Sequence, residues 1–319
     1  MKKLIVLATL AALPAVALAD VTISGDLAVG IVNTKSDGRS VNREDRTSGE
    51  IKFAGSDDLG NGLKAIWQIA TRINLADTAS DGNDNNWASR DSFVGLEGGF
   101  GRLTLGNIYM MPTSGKMAIF EHNSATFASA IYDQGTRVNN TVSYKTPSLG
   151  GLTATVQHSF GANTAAEDAK LYGQALSLAY EGDGFSVSYD GVRSKLDNDG
   201  GKGKLHELNA SVALNDLNLM AGYARGTVKL LGWDVKTTGW GVAASYAMGN
   251  FTPKIGFWKE NDAKLNGVTY NSGHKAYALG VDYALSKRSR AGFEWAKANY
   301  DDEYLSDERT ATIYLGTKF

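Results

Sequence analysis

The 319-residue chain has no cysteine, only 4 prolines and only 4 histidines. Without cysteine there is no disulfide framework, no thiolate metal site and no Cys nucleophile. Charge of one sign is also missing: 32 Lys+Arg stand against 34 Asp+Glu, and no basic run supplies locally what the whole chain lacks. Nucleic acid is therefore not expected as a partner. The histidines, His122, His158, His206 and His274, are scattered, with no adjoining Ser or Asp arrangement of the kind nucleophilic or acid–base catalysis needs. Phosphate and metal motifs fail as well. Gly200 to Lys204 lacks the spacing of a phosphate-binding loop, and neither Asp81, Asp84 and Asn86 nor Asp301, Asp302 and Glu303 matches a calcium loop. No catalytic residue, cofactor or metal is expected.

A long hydrophobic run is missing too, except at the start. Lys2 and Lys3 precede an apolar stretch from Leu4 to Leu18, which closes with Ala17-Leu18-Ala19 before Asp20. The stretch is too short for a membrane-spanning helix and has the charge, core and small-residue site of a secretory signal peptide, giving a leader at 1–19 and a mature domain at 20–319.

What is present is period-two alternation, the pattern of strands whose two faces meet different surroundings. Val21, Ile23, Leu27, Val29 and Ile31 share one face; Thr22, Ser24, Asp26 and Ala28 share the other. Leu63, Ala65, Trp67 and Ile69 oppose Lys64, Gln68 and Arg72, with Ile66 out of phase. Sixteen such segments run from 20–33 to 309–319, the one at 87–97 alternating poorly. Their connections alternate between tight turns, such as Asp58 to Asn61, Gly98-Gly99 and Asn215-Asp216, and long polar loops near 34–47, 75–86, 108–137, 162–168, 196–203, 230–235, 261–272 and 300–308. In hydrocarbon, strands can span only as a closed sheet. The pattern predicts an all-β fold, a 16-stranded antiparallel transmembrane β-barrel with short periplasmic turns, long extracellular loops and a polar, water-filled lumen. A soluble sandwich or propeller has no reason to sort its connections by length.

Particular strings sharpen this reading. Asp58-Leu59-Gly60-Asn61-Gly62-Leu63-Lys64-Ala65-Ile66-Trp67-Gln68, Arg90-Asp91-Ser92-Phe93-Val94-Gly95-Leu96, Gly98-Gly99-Phe100-Gly101, the start Asp20-Val21-Thr22 and the end Gly316-Thr317-Lys318-Phe319 closely resemble the Gram-negative general porin family, in its neisserial and β-proteobacterial branch. The resemblance is most specific over 20–107. It implies a homotrimer in the Gram-negative outer membrane that passes ions and small hydrophilic solutes passively, with the third outside loop folded into the lumen. That loop is 108–137, the longest connection of the chain, and a long loop in a compact fold is commonly functional.

A filter of charged side chains selects ions by field and by width. The expected wall residues are Lys52, Lys64, Arg72, Arg90, Arg102 and Lys145, with Arg137 at the end of the long loop and the acids Glu121 and Asp133 upon it. Inward Asp26 and Glu50, together with Thr104, Asn107, Ser143 and Glu97 where relatives often carry basic residues, predict a weakly selective pore leaning to anions. Lys or Arg facing lipid at the midplane costs about 2–4 kcal/mol, so charges are expected to sort inward. Phe319, closing a strand of outward apolar residues, resembles the signal read by the barrel-assembly machinery. Outer-membrane lipid and lipopolysaccharide are the remaining expected partners, the latter through loop Lys and Arg. A barrel enzyme or an adhesive barrel is the alternative.

Overall fold

The computed structural model describes residues 20–36, 39–73, 75, 87–110, 119–120, 137–163, 170–196, 200–302 and 304–319. The leader expected at 1–19 lies outside them. Among the described residues the chain is all strand and turn. Its strands are β1 (Asp20–Ser36), β2 (Arg39–Gly60), β3 (Leu63–Arg72), β4 (Ser92–Gly98), β5 (Gly101–Tyr109), β6 (Arg137–Lys145), β7 (Leu152–Asn163), β8 (Lys170–Glu181) and β9 (Phe185–Leu196). They continue with β10 (Lys202–Leu214), β11 (Leu217–Leu230), β12 (Trp233–Tyr246), β13 (Phe251–Glu260), the two-residue β14 (Lys264–Leu265) and β15 (Val268–Thr269), then β16 (His274–Ala284), β17 (Ser289–Tyr300) and β18 (Glu308–Lys318). β14 and β15 form a small hairpin inside the connection between β13 and β16. The sixteen long strands pair antiparallel in chain order, and β18 pairs with β1, closing the sheet.

Closure is made at the chain end. The Phe319 amide donates to the Gly25 carbonyl at 3.1 Å and the Gly25 amide returns a bond to the Phe319 carbonyl at 3.0 Å. The Phe319 ring then lies where a side chain at residue 25 would stand, 2.4 Å from an added Cβ, so glycine is needed there. A closed ladder leaves no strand edge unpaired, the condition for crossing hydrocarbon with strands.

Alternation becomes a lipid face and a lumen face. On β1, Ile31 is 70 % exposed on the outside while its neighbour Val32 is 1 % exposed on the inside. Outward aromatics gather at two levels, as the interfaces of a bilayer favour. Near the short turns Tyr180 and Phe185 stand 5.5 Å apart and Phe251 and Tyr283 4.8 Å apart. Nearer the long loops, Trp240, Phe257 and Tyr277 form a row with centroid spacings of 5.4 and 5.2 Å.

Two expected loops are largely strand. Of 34–47, only 37 and 38 lie outside the described strands, because β1 and β2 stay paired from Asp20↔Ser56 to Ser36↔Arg39. In place of a loop at 230–235, β11 and β12 pair to Leu230↔Trp233 and reverse through Leu231 and Gly232, both at positive φ. Polar strand ends beyond the bilayer go on satisfying their backbone groups with each other, so polar composition alone does not mark where pairing stops.

Candidate functional site

The lumen wall begins with the inward positions of β2 to β6. Glu50 pairs with Arg72 in the β2–β3 register, and Lys52 and Arg90 approach Glu50 at 3.4 and 3.6 Å. Arg90 lies in the segment ahead of β4, where the charges of Arg72 and Arg137 both act on it. Arg137, the first residue of β6, donates from Nε to Asp91 at 2.9 Å and lays its guanidinium over the Tyr109 ring at 5.0 Å. Four expected wall residues, Lys52, Arg72, Arg90 and Arg137, are thus brought into one cluster with Glu50 and Asp91 among them.

Three others stand apart, towards the short-turn rim. Arg102 and Lys145 face each other across β5 and β6, Arg102 pairs with Glu97 at 3.2 Å, and Lys64 sits opposite Glu97 in the β3–β4 register. A recess of about 370 Å³ joins the two groups, running between Arg137 and Asp91 at one side and Arg102 and Lys145 at the other, with Phe93 and Tyr109 along it. Arg102 stacks on Phe93 at 5.3 Å.

The rest of the wall carries acids: Asp190, Glu207, Glu260, Asp282 and Glu294 take the inward parity of their strands, and Glu181, also inward, lines the recess with Arg102 and Lys145. The acidic side expected on the long loop is thereby supplied in part by the barrel. Glu121 and Asp133 lie outside the described residues. Between Met110 and Arg137 two residues of that loop are described, Ile119 and Phe120, and both lie against the inner wall. Phe120 is fully buried in a cluster with Met220, Ala224, Ala243, Trp258 and the alanines of β16 and β17. Inward Trp258 and Tyr314 belong to this wall.

Lys254 on β13 holds the contact together. Its ammonium donates to the Ile119 carbonyl and to Glu294 Oε1, each at 2.7 Å, and to Asp282 at 3.3 Å. Tyr314 hydroxyl donates to Asp282, and the Phe120 ring lies 5.6 Å from the ammonium. Sequence reasoning missed Lys254. Its signal was inward parity on a strand whose neighbours also place Asp282 and Glu294 inward.

Charges do not sort wholly inward. At the long-loop rim, lysines and arginines take the outward parity on several adjacent strands, where the bilayer's apolar core has ended and the cost of facing outward falls. Among the described residues no group of three or more His, Asp or Glu side chains is placed to hold a metal ion.

A family model described as Gram-negative porin matches residues 6–303. The chain is 30% identical over 315 residues to the major outer membrane protein P.IB of Neisseria meningitidis serogroup A, covering 91% of each chain. It is also 30% identical over 334 residues to the same-named protein of Neisseria sicca, covering 91% of this chain and 92% of that one. Among solved structures, an anion-selective porin from Comamonas acidovorans superposes with a TM-score of 0.76 at 22% identity, over 94% of this chain and 100% of that one. The OmpF of Salmonella typhi, in complex with daunomycin, gives 0.74 at 20% identity over 94% and 98%. An OmpT of Vibrio cholerae solved in a trimer form gives 0.69 at 12% identity over 94% and 99%.

Proposed function

This chain belongs to the Gram-negative porin family, a β-barrel of the outer membrane through which ions and small hydrophilic solutes diffuse passively, and we propose that its channel leans weakly towards anions. The observation that carries the proposal is the cluster of Arg72, Arg90 and Arg137 on one wall of the lumen. Fixed guanidinium charges raise the local concentration of anions and lower that of cations, most strongly where the lumen is narrow. The lean is weak because the cations do not stand alone. Glu50 lies 3.6 Å from Arg90 and Asp91 2.9 Å from Arg137, and beyond the cluster Glu97 lies 3.2 Å from Arg102, so each cancels part of the field.

On this reading Lys52, Lys64, Arg102 and Lys145 extend the basic wall towards the short-turn rim, while Glu121 and Asp133 face it from the loop at 108–137. The protein acts as a channel without enzymatic activity, assembles as a homotrimer and is exported by a leader cut after Ala19. Phe319 is read by the barrel-assembly machinery, and the outer face meets outer-membrane lipid and lipopolysaccharide. The family membership supports the channel, and the trimeric relative supports the assembly. Single-channel recording of the purified protein in a planar bilayer tests the reading. Open trimers give large steps that close in threes, and folded protein without conductance overturns the channel.

A further inference from the structure

Between the arginine cluster and the short turns, the inner wall of β5 to β7 gathers polar side chains around one unsatisfied group. Arg102 is directly opposite Lys145, and Ser143 directly opposite Gln157. Lys145 is directly opposite Thr155, so Gln157 is its diagonal neighbour, about 7–8 Å away in a sheet. All five line the recess of about 370 Å³. Gln157 is 3 % exposed. Its Nε2 donates to the Tyr109 carbonyl at 2.9 Å, which fixes the orientation of the amide, since a carbonyl only accepts. The Oε1 on the other side of the amide has no partner among the described residues. A buried acceptor left without a donor is costly, so a solute that supplies an N–H there binds more tightly than one that does not.

The charges left over around this acceptor are one of each sign. Arg137 is held by Asp91 at 2.9 Å and Arg102 by Glu97 at 3.2 Å. Lys145 and Glu181 line the same recess and make no ion pair among the described residues. Arg102 is engaged at its Nε by Glu97 and across its plane by the Phe93 ring at 5.3 Å, which leaves its Nη groups for a second acceptor. Arg102 and Lys145, side by side, therefore suit one carboxylate. A second anionic group is disfavoured, because Asp91 lines the recess at one end and Glu181 at the other. Both acids favour a positive group instead.

We propose that this recess is a binding subsite for free α-amino acids, the carboxylate held by Arg102 and Lys145 and the ammonium donating to Gln157 Oε1. The proposal rests on the channel reading, whose lumen the recess lines, and names a class of solute that pauses there. An α-amino acid carries its two charges on neighbouring carbons, which matches a cation and an acceptor on diagonal positions of one sheet. Binding is weak, as a passive channel requires, since a solute that enters must also leave.

Saturation-transfer NMR of the full-length folded protein in detergent micelles tests this, with conductance in a planar bilayer recorded on the same preparation. The probes are L-alanine, propionate, which lacks the ammonium, L-lactate, which has a hydroxyl in its place, and L-alaninamide, which lacks the carboxylate. L-Alanine is expected to bind roughly tenfold or more tightly than each of the other three, because only it meets both the cations and the acceptor. Q157L should weaken L-alanine by roughly tenfold and leave propionate unchanged. A conducting wild-type preparation that binds propionate or L-lactate as tightly as L-alanine overturns the subsite and leaves the channel standing. Preference for L-alanine without conductance overturns the channel and leaves the subsite standing. The wild-type series alone decides the matter if Q157L does not fold.

Discussion

On β2 to β6 the inward cations Arg90 and Arg137 keep about a fifth to a quarter of their side-chain surface in the lumen, beside Glu50 and Asp91. On β13 to β18 the inward cation Lys254 is 4 % exposed, enclosed by Glu294, Asp282, Tyr314 and the Ile119 carbonyl. Both walls follow the same period of two, and both place charge inward. The difference is water. A charge left partly hydrated stays available to passing ions and adds little to stability, whereas a charge withdrawn from water needs each of its partners and fixes whatever supplies them. One wall of the barrel is therefore a field, and the other is a fastening for the loop segment at Ile119 and Phe120.

Breaking the fastening has the largest expected effect. K254M leaves Glu294 buried beside Asp282 without the ammonium that compensates them and should cost about 3–5 kcal/mol, measured as a lower midpoint of urea unfolding of the refolded barrel. The same variant frees the Ile119 carbonyl and should add open-channel noise in single-channel records. F120A comes next. It empties a fully buried site against Trp258 and the wall alanines and should lower stability by about 3 kcal/mol, the low end for a buried phenylalanine. An unfolding midpoint unchanged by both substitutions would erase the distinction between the walls.

Changes on the open wall should leave stability almost untouched and alter permeation. The variant R72Q, R90Q and R137Q changes the free energy of unfolding by no more than about 1 kcal/mol, since these charges are partly solvated, while its reversal potential in a KCl gradient moves to the cation-favouring side. The smallest effect is expected from E97Q combined with R102Q. That change removes an ion pair whose members are nearly half exposed and should alter stability by less than about 1 kcal/mol and selectivity hardly at all.

The barrel was legible because the membrane writes its requirement into every strand. Leu63, Trp67 and Ile69 against Lys64, Gln68 and Arg72 are enough to define two faces, and the tight turns mark the short rim. Arg72 could be named from parity alone, and Arg137 from its place at the end of the long loop, whereas Arg90 lies ahead of β4, outside that strand's alternation. Lys254, Glu294 and Tyr314 could not be named so, since they are separated by 40 and 60 residues and meet only through barrel register. The strand extensions at 34–47 and 230–235 escaped because polar residues pair in a ladder as readily as they form a loop once the bilayer is behind them. The outward cations of the long-loop rim escaped for a related reason: the rule that charges face the lumen holds at the midplane and lapses at the headgroups.

The account's central claim is that the solvated arginine cluster sets the pore's preference. The reversal potential of the wild-type channel across a KCl gradient tests it most directly. A small potential favouring chloride is predicted, because Arg72, Arg90 and Arg137 outweigh the acids paired with them. A potential favouring potassium would contradict it, since the buried acids of the opposite wall would then be governing the lumen.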